Sequence, residues 1–192
     1  MPATRLIAAS ATISNPLDLS EWLGVSSPCI FGPEYRPVPL QTIVQCYPRN
    51  GKDNEFLFDK RLTHHLGGII QQHSSGRPTL VFCATRSGAQ QAAQTLASET
   101  QQLFRRQSDD HEGRLARLRQ ASQTIEDNDL RTCILSAVGF HSAALQSADR
   151  RAVERLFKSS DLLVVCTTTT LSQGVNLPAH LVIVKSTLQW RG

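Results

Sequence analysis

The sequence predicts an α/β protein: a doubly wound, mostly parallel sheet with helices on both faces. Two observations carry this. Short strand-like runs stand at 79–83, 138–141, 162–166 and 181–184, the last two rich in β-branched residues, and helical stretches with apolar faces are interleaved between most of them. Runs of that kind suit strands buried on both sides, and right-handed crossovers place the connecting helices over both faces.

The composition fits one well-cored domain, or one plus part of another: 192 residues, 40% hydrophobic and 19% charged. No stretch approaches the roughly 18 apolar residues that a membrane-spanning helix needs, and MPATRLIAAS lacks the charged start and long apolar run of a signal peptide. An intracellular protein with no membrane partner is expected. The five cysteines have no CxxC spacing, which argues for buried, reduced thiols rather than a zinc site or a disulfide framework. A net charge of +4 and a pI of about 9.0 are compatible with a polyanionic partner. Arginines cluster at 105, 106, 114, 117 and 119, and again at 150, 151 and 155. On charge alone they are solvated helix faces or phosphate contacts.

Taken in order, RLIAAS (5–10) reads as a short buried strand. Asn15, Pro16, Asp18 and Gly24 supply an N-cap, a first helical residue, a first-turn acid and a C-terminal stop for the helix after it. One strand and one helix cannot bury their own apolar faces, so residues 1–30 read as the tail of something larger. Residues 31–40 belong to a proline-rich extended connector. A second domain is expected over 41–192. It opens with a strand at 41–47, then a polar turn, then one helix over 56–72 whose apolar residues fall at 58, 62, 66, 69 and 70. His64, His65 and His73 lie on or near that helix without an acid at ligand spacing, which favours ordinary helix-face histidines.

The strand at 79–83 leads into an alanine-rich helix for which Ser87 and Gln90 are the expected capping pair. Turns at the carboxyl ends of parallel strands are where ligands bind, which singles out Thr85 and Arg86. Leu115, Leu118, Ser122 and Ile125 mark a weakly amphipathic helix, and a short helix is expected at 130–135. Residues 142–158 form a strong amphipathic helix with Glu154 and Lys158 paired at i,i+4. The strand at 162–166 and the strand at 181–184 then bracket a polar loop.

The motifs go further than the pattern. RLIAASAT (5–12), LVFCATR (80–86), DRRAVERLF (149–157) and TTTTLSQGVNLPAHLVIVKST (167–187) resemble, in order and approximate spacing, motifs III, IV, IVa, V and Va of superfamily 2 helicases. GVNLPA in motif V is similar to the Ski-type group. RPVPL (36–40), PTLVFCATR (78–86) with the following QQAA (90–93), and GVNLPAHLVIVKST (174–187) most resemble the meiotic crossover helicases of the MER/HFM branch. The resemblance implies a second RecA-like domain preceded by the motif III tail of the first, incomplete at both ends.

By that resemblance, Ser10 and Thr12 would couple nucleotide state to domain movement. Thr85, Arg86, Thr168 and Thr170 would contact the backbone of the translocated strand. Gly174 would let the main chain approach closely, and Asn176 would face ATP and its magnesium. His141 opens a motif that usually reads HHAGL and here reads HSAAL, so its carry-over as a strand contact stands beside a reading with no contact at all. The implied partners are single-stranded or branched DNA and the remainder of the helicase: the first RecA-like domain, motif VI and the C-terminal domains. The implied compartment is the nucleus.

The chain has no G-x-x-x-x-G-K-S/T phosphate cradle and no DExH acidic box. ATP and Mg2+ are therefore expected to act in the intact parent and not to bind tightly to this polypeptide, which is expected to be inactive alone. Two alternatives remain open. One is a non-catalytic nucleic-acid or protein-binding module from a decayed helicase; the other is part of an RNA helicase of the same group.

Overall fold

The computed structural model describes residues 6–11, 13–51, 54–105, 110–169 and 177–186. Side chains of 100–105 and 111 are outside the description. The chain divides into two units, 1–46 and 47–192.

In the first unit, helix α1 spans Pro16–Trp22. Pro16 occupies the first helical position, and the Nδ2 of Asn15 donates to Asp18. Gly24, at φ +69°, closes the helix as its N–H reaches the Glu21 carbonyl. Neither strand expected in this unit's residues forms. Leu6–Ser10 and Gln41–Cys46 are without a ladder, as is Tyr47 at the start of the next unit. Leu6 and Ile7 are 74% and 81% exposed. A strand exists only through its partners, and every ladder among the described residues lies between 79 and 184.

The second unit holds a four-stranded, all-parallel sheet in the order β2-β3-β1-β4. The strands are β1 (Thr79–Phe82), β2 (Val138–His141), β3 (Val164–Thr167) and β4 (Leu181–Val184). Register pairs Phe82 with both Thr167 and Val184, and His141 with Thr167, so the four strands end level with one another. The helices are α2 (Glu55–Thr63), α3 (Leu66–His73), α4 (Arg86–Arg105), α5 (His111–Ser122), α6 (Asn128–Ile134) and α7 (Ser147–Lys158).

The single helix expected at 56–72 is thus two. The break falls at His64–His65, where the N–H groups of both histidines turn back to Arg61 and Leu62 in tight i→i−3 bonds, and Tyr47 stacks on His65 at 4.2 Å. The last strong helix starts at Ser147 rather than 142, and Glu154 on it does not pair with Lys158 but reaches His141.

From β1 the chain passes over β3 to β2; from β2 it steps back to β3; from β3 it moves on past β1 to β4. Both α4 and α7 pack on β2 and β3, and right-handed crossovers running in opposite directions put them on opposite faces. The core lies between these layers, with Val81, Leu96, Leu118, Leu130, Val153, Phe157 and Val165 buried. On β4, Leu181 and Ile183 are half-buried, with Ile183 packed against the core, while Val182 and Val184 on the other face are 53% and 60% exposed.

Candidate functional site

The strand order dictates where a ligand site can form. The connection leaving β1 travels toward β2, and the connection leaving β3 travels the other way toward β4. Adjacent strands whose connections depart in opposite directions leave a crevice at their carboxyl ends, the topological switch point of an open α/β sheet. Here that point lies between the turn after Phe82 and the residues after Thr167. The two are tied by the Cys83 N–H donating to the Thr167 carbonyl at 2.7 Å.

On the β1 side, Thr85 caps α4. Its hydroxyl accepts the Gly88 N–H at 2.9 Å, and its carbonyl accepts from Ala89. Ser87 is therefore not the cap: the helix begins one residue before it, and Gln90 reaches Asp129 on α6 at 2.6 Å instead of closing a capping box. Gly88 is needed because a Cβ there would meet the Thr85 Oγ1 at 2.9 Å. Arg86, the first residue of α4, is exposed, and no acid among the described residues lies within ion-pair reach of it. A free guanidinium beside a helix N-terminus at a switch point is suited to a phosphate group.

On the β3 side, the Thr167 hydroxyl donates to the His141 carbonyl at 3.0 Å, and Thr168 is buried just beyond the strand. The His141 imidazole is 7% exposed. Its Nε2 is 3.0 Å from the Glu154 carboxylate, and its Nδ1 is buried with no partner among the described residues. Burial lowers its pKa, the bond and charge of Glu154 oppose that, and the nearby charge of Arg150 adds to the lowering. A neutral ring donating from Nε2 fits this setting, since a second N–H at Nδ1 would have nowhere to donate. The side chain faces α7 rather than an open surface.

Two clusters support this edge and were missed in the sequence. At the end of β4, the Lys185 ammonium, its side chain 2% exposed, donates to the Asp59 carboxylate at 2.7 Å, the Asp59 carbonyl at 3.2 Å and the Thr63 hydroxyl at 3.0 Å. It fastens α2 to the sheet, and Asp59, Thr63, Thr85, Gly88 and Ser186 line a small open cleft above it. The signal was a lysine directly ending a β-branched run, where a solvated charge is out of place. Behind β2, the buried Asp149 carboxylate accepts the N–H groups of Glu126 and Asp127 at 3.1 and 3.0 Å and so fixes the entry to α6.

Cys83, beside the switch point, is no nucleophile: burial raises its pKa to about 11, more than the Lys185 charge lowers it. Cys133 is raised to about 12 and Cys166 well above its ordinary value, again chiefly by burial. Cys29 and Cys46 are exposed, contrary to the expectation of five buried thiols, because both lie in segments without sheet partners. Among the described residues no group of three His, Cys, Asp or Glu gathers as a metal site, and no helix is long and apolar enough to cross a membrane.

Ser10 is exposed in the first unit. Thr12, Thr170, Gly174 and Asn176 lie outside the described residues. The two residues assigned to ATP by resemblance are among them, so no step through nucleotide is derived.

No family model matches the chain. Individual relatives do. It is 46% identical over 191 residues to the ATP-dependent DNA helicase homolog MER3 of Arabidopsis thaliana, an alignment covering 97% of this chain and 17% of that protein. It is 43% identical over 190 residues to a probable ATP-dependent DNA helicase HFM1 of Xenopus tropicalis, covering 97% and 14%. Activating signal cointegrator 1 complex subunit 3 of Danio rerio stands further off, at 32% over 200 residues, 98% of this chain and 12% of that protein. The chain thus spans about a sixth or less of the length of the curated relatives it matches.

Proposed function

We propose, from the chain's similarity along nearly its whole length to a segment of the MER3/HFM1 DNA helicases, that it supplies the second-lobe strand-binding edge of an ATP-dependent DNA helicase. The observation that carries the reading is the convergence of the two loops that the motifs single out. The turn bearing Thr85 and Arg86 and the end of β3 at Thr168 stand on either side of the switch point.

In this reading Arg86 pairs with a backbone phosphate, a contact that positions a strand without reading its sequence. Thr85 holds the start of α4 so that Arg86 is presented at a fixed angle. His141 fixes the third turn of α7 against β2 through Glu154, and its carbonyl holds the end of β3 through the Thr167 hydroxyl. Thr168 and Thr170 continue the track. Gly174 and Asn176 contribute to an ATP and magnesium cleft shared with a first RecA-like domain, to which Ser10 and Thr12 relay the nucleotide state. The nucleus, meiotic recombination, and single-stranded or branched DNA as substrate belong to the same proposal. The polypeptide alone is proposed to hydrolyse ATP no faster than a blank, since it has neither a Walker phosphate cradle nor a DExH box.

Ultraviolet crosslinking of an iododeoxyuridine oligonucleotide, followed by peptide mapping, tests the assignment. Crosslinks are expected on peptides containing Thr85–Arg86 and Thr168–Thr169. Crosslinks confined to the first unit or to α5 would overturn it, and an oligoribonucleotide that displaces the DNA at equal concentration would remove the preference for DNA.

A further inference from the structure

Helix α7 sends its acids inward and its bases outward. Asp149 is buried and occupied by two backbone N–H groups, and Glu154 is held by His141. The exposed charged residues of the helix are Arg151, Arg155 and Lys158, all cations. No acid among the described residues lies within ion-pair reach of them. The contrast with α5 is informative: there Arg117 is already paired, with Asp161 at 2.8 Å and Asp110 at 3.1 Å.

The three cations recur at i, i+4 and i+7, so they share one face in a row about 10 Å long. The row also has a defined origin. The chain enters α7 from the carboxyl end of β2 through the short turn 142–146, so the first turn of the helix stands at the same carboxyl edge as Thr167 and Thr168. Half-exposed Arg150 in that turn is near His141 and bridges the edge to the row.

We infer that the outer face of α7, through Arg151, Arg155 and Lys158 with Arg150 at its head, is a second binding surface for the phosphate backbone of single-stranded nucleic acid. It extends the strand path from the switch point around the β2 side of the sheet. The identity of the ligand rests on the function proposed above; the existence of an unpaired cationic row does not. A short strand fills the switch point alone, whereas a longer one also reaches α7.

The test is fluorescence anisotropy of the full chain with oligo(dT) of about 8 and of about 30 nucleotides, over a salt series. The triple variant Arg151→Gln/Arg155→Gln/Lys158→Gln alters only exposed side chains, and circular dichroism checks that it folds. The expected result is a salt slope shallower by about 2 for the long strand, from about 0.7 per lost phosphate contact, with the short strand unaffected. An unchanged slope with the long strand overturns the inference, as does poly-glutamate competing as well as DNA, which would mark an acidic protein surface. Arg86→Ala separates the two ideas. If it weakens short-strand binding while the triple variant binds the long strand normally, only the α7 surface falls. If the triple variant lowers the slope while Arg86→Ala does nothing, the edge assignment falls and the α7 surface stands. No binding to either strand defeats both.

Discussion

Replacing Lys185 by methionine should be among the most damaging single changes in the second unit. The ammonium is buried and makes three hydrogen bonds to α2, one of them to the Asp59 carboxylate at 2.7 Å. Methionine fills much of the same volume but leaves Asp59 without its counter-charge, and Asp59 already has one carboxylate oxygen, Oδ1, buried and unpartnered. Removing one member of a buried pair costs about 3–5 kcal/mol. The Asp59 side chain is 26% exposed and can draw some water after the change, which places the expected loss near the lower bound, about 3 kcal/mol. For a chain of this length that corresponds to a melting temperature lower by about 6–12 °C.

Urea unfolding followed by circular dichroism measures the loss directly, with the midpoint falling and the slope unchanged. A double-mutant cycle with Asp59→Leu isolates the pair: the second substitution should be far less costly in the Lys185→Met background, with a coupling of about 1–3 kcal/mol. A loss below about 0.5 kcal/mol, the range of ordinary surface substitutions, or a coupling near zero, would refute the reasoning that Lys185 fastens α2 to the sheet.

Three further outcomes follow from the same geometry. Because burial lowers the His141 pKa, the unfolded chain takes up this proton first as pH falls. Its contribution to stability is therefore complete above about 6.5 and declines as pH drops through that value toward the lower folded pKa. His141→Gln should flatten the pH dependence of the urea midpoint between about pH 7 and 5; an equally steep profile in the variant would contradict the buried neutral ring. Thr85→Ala removes the cap of α4 and should cost about 1 kcal/mol, whereas Ser87→Ala should cost only a few tenths; the reverse order in urea melts would restore the cap to Ser87. In the folded chain at neutral pH, a thiol reagent should modify Cys29 and Cys46 rapidly and leave Cys83, Cys133 and Cys166 protected until denaturant is added; fast labelling of Cys83 would contradict its burial beside Lys185.

What the sequence made legible follows the physics of each segment. The strands at 138–141 and 181–184 were readable to the residue because each is a short run with strand-forming residues closed by a polar or charged one, Ser142 and Lys185. The described residues 6–10 and 41–47 carry similar local composition but form no ladder, since strand propensity is realised only against a partner. The cap on α4 was misplaced because Thr85 and Ser87 are both good capping residues, and the choice depends on where the strand ends and which N–H the side chain can reach. Glu154 looked like half of a surface i,i+4 pair; only the fold brings it 3.0 Å from His141.

The site divides in the same way. Thr85 and Arg86 followed from the rule that ligands bind at the carboxyl ends of parallel strands, and the strand order then sharpened the rule to one gap between β1 and β3. The Lys185–Asp59 pair joins residues 126 positions apart, and no local pattern announces a contact of that range. The inward turn of Asp149 and Glu154, which leaves the face of α7 cationic, is likewise a property of the packed helix rather than of its charge pattern.

The measurement that bears most directly on the central claim is the salt dependence of single-stranded DNA binding by the chain and its Arg86→Ala variant. If the edge between β1 and β3 carries the strand, Arg86→Ala should weaken binding at low salt and make the plot of log affinity against log salt shallower by about 0.7, one phosphate contact's share. Identical affinities and parallel slopes for the two proteins would contradict the assignment of this edge to nucleic acid.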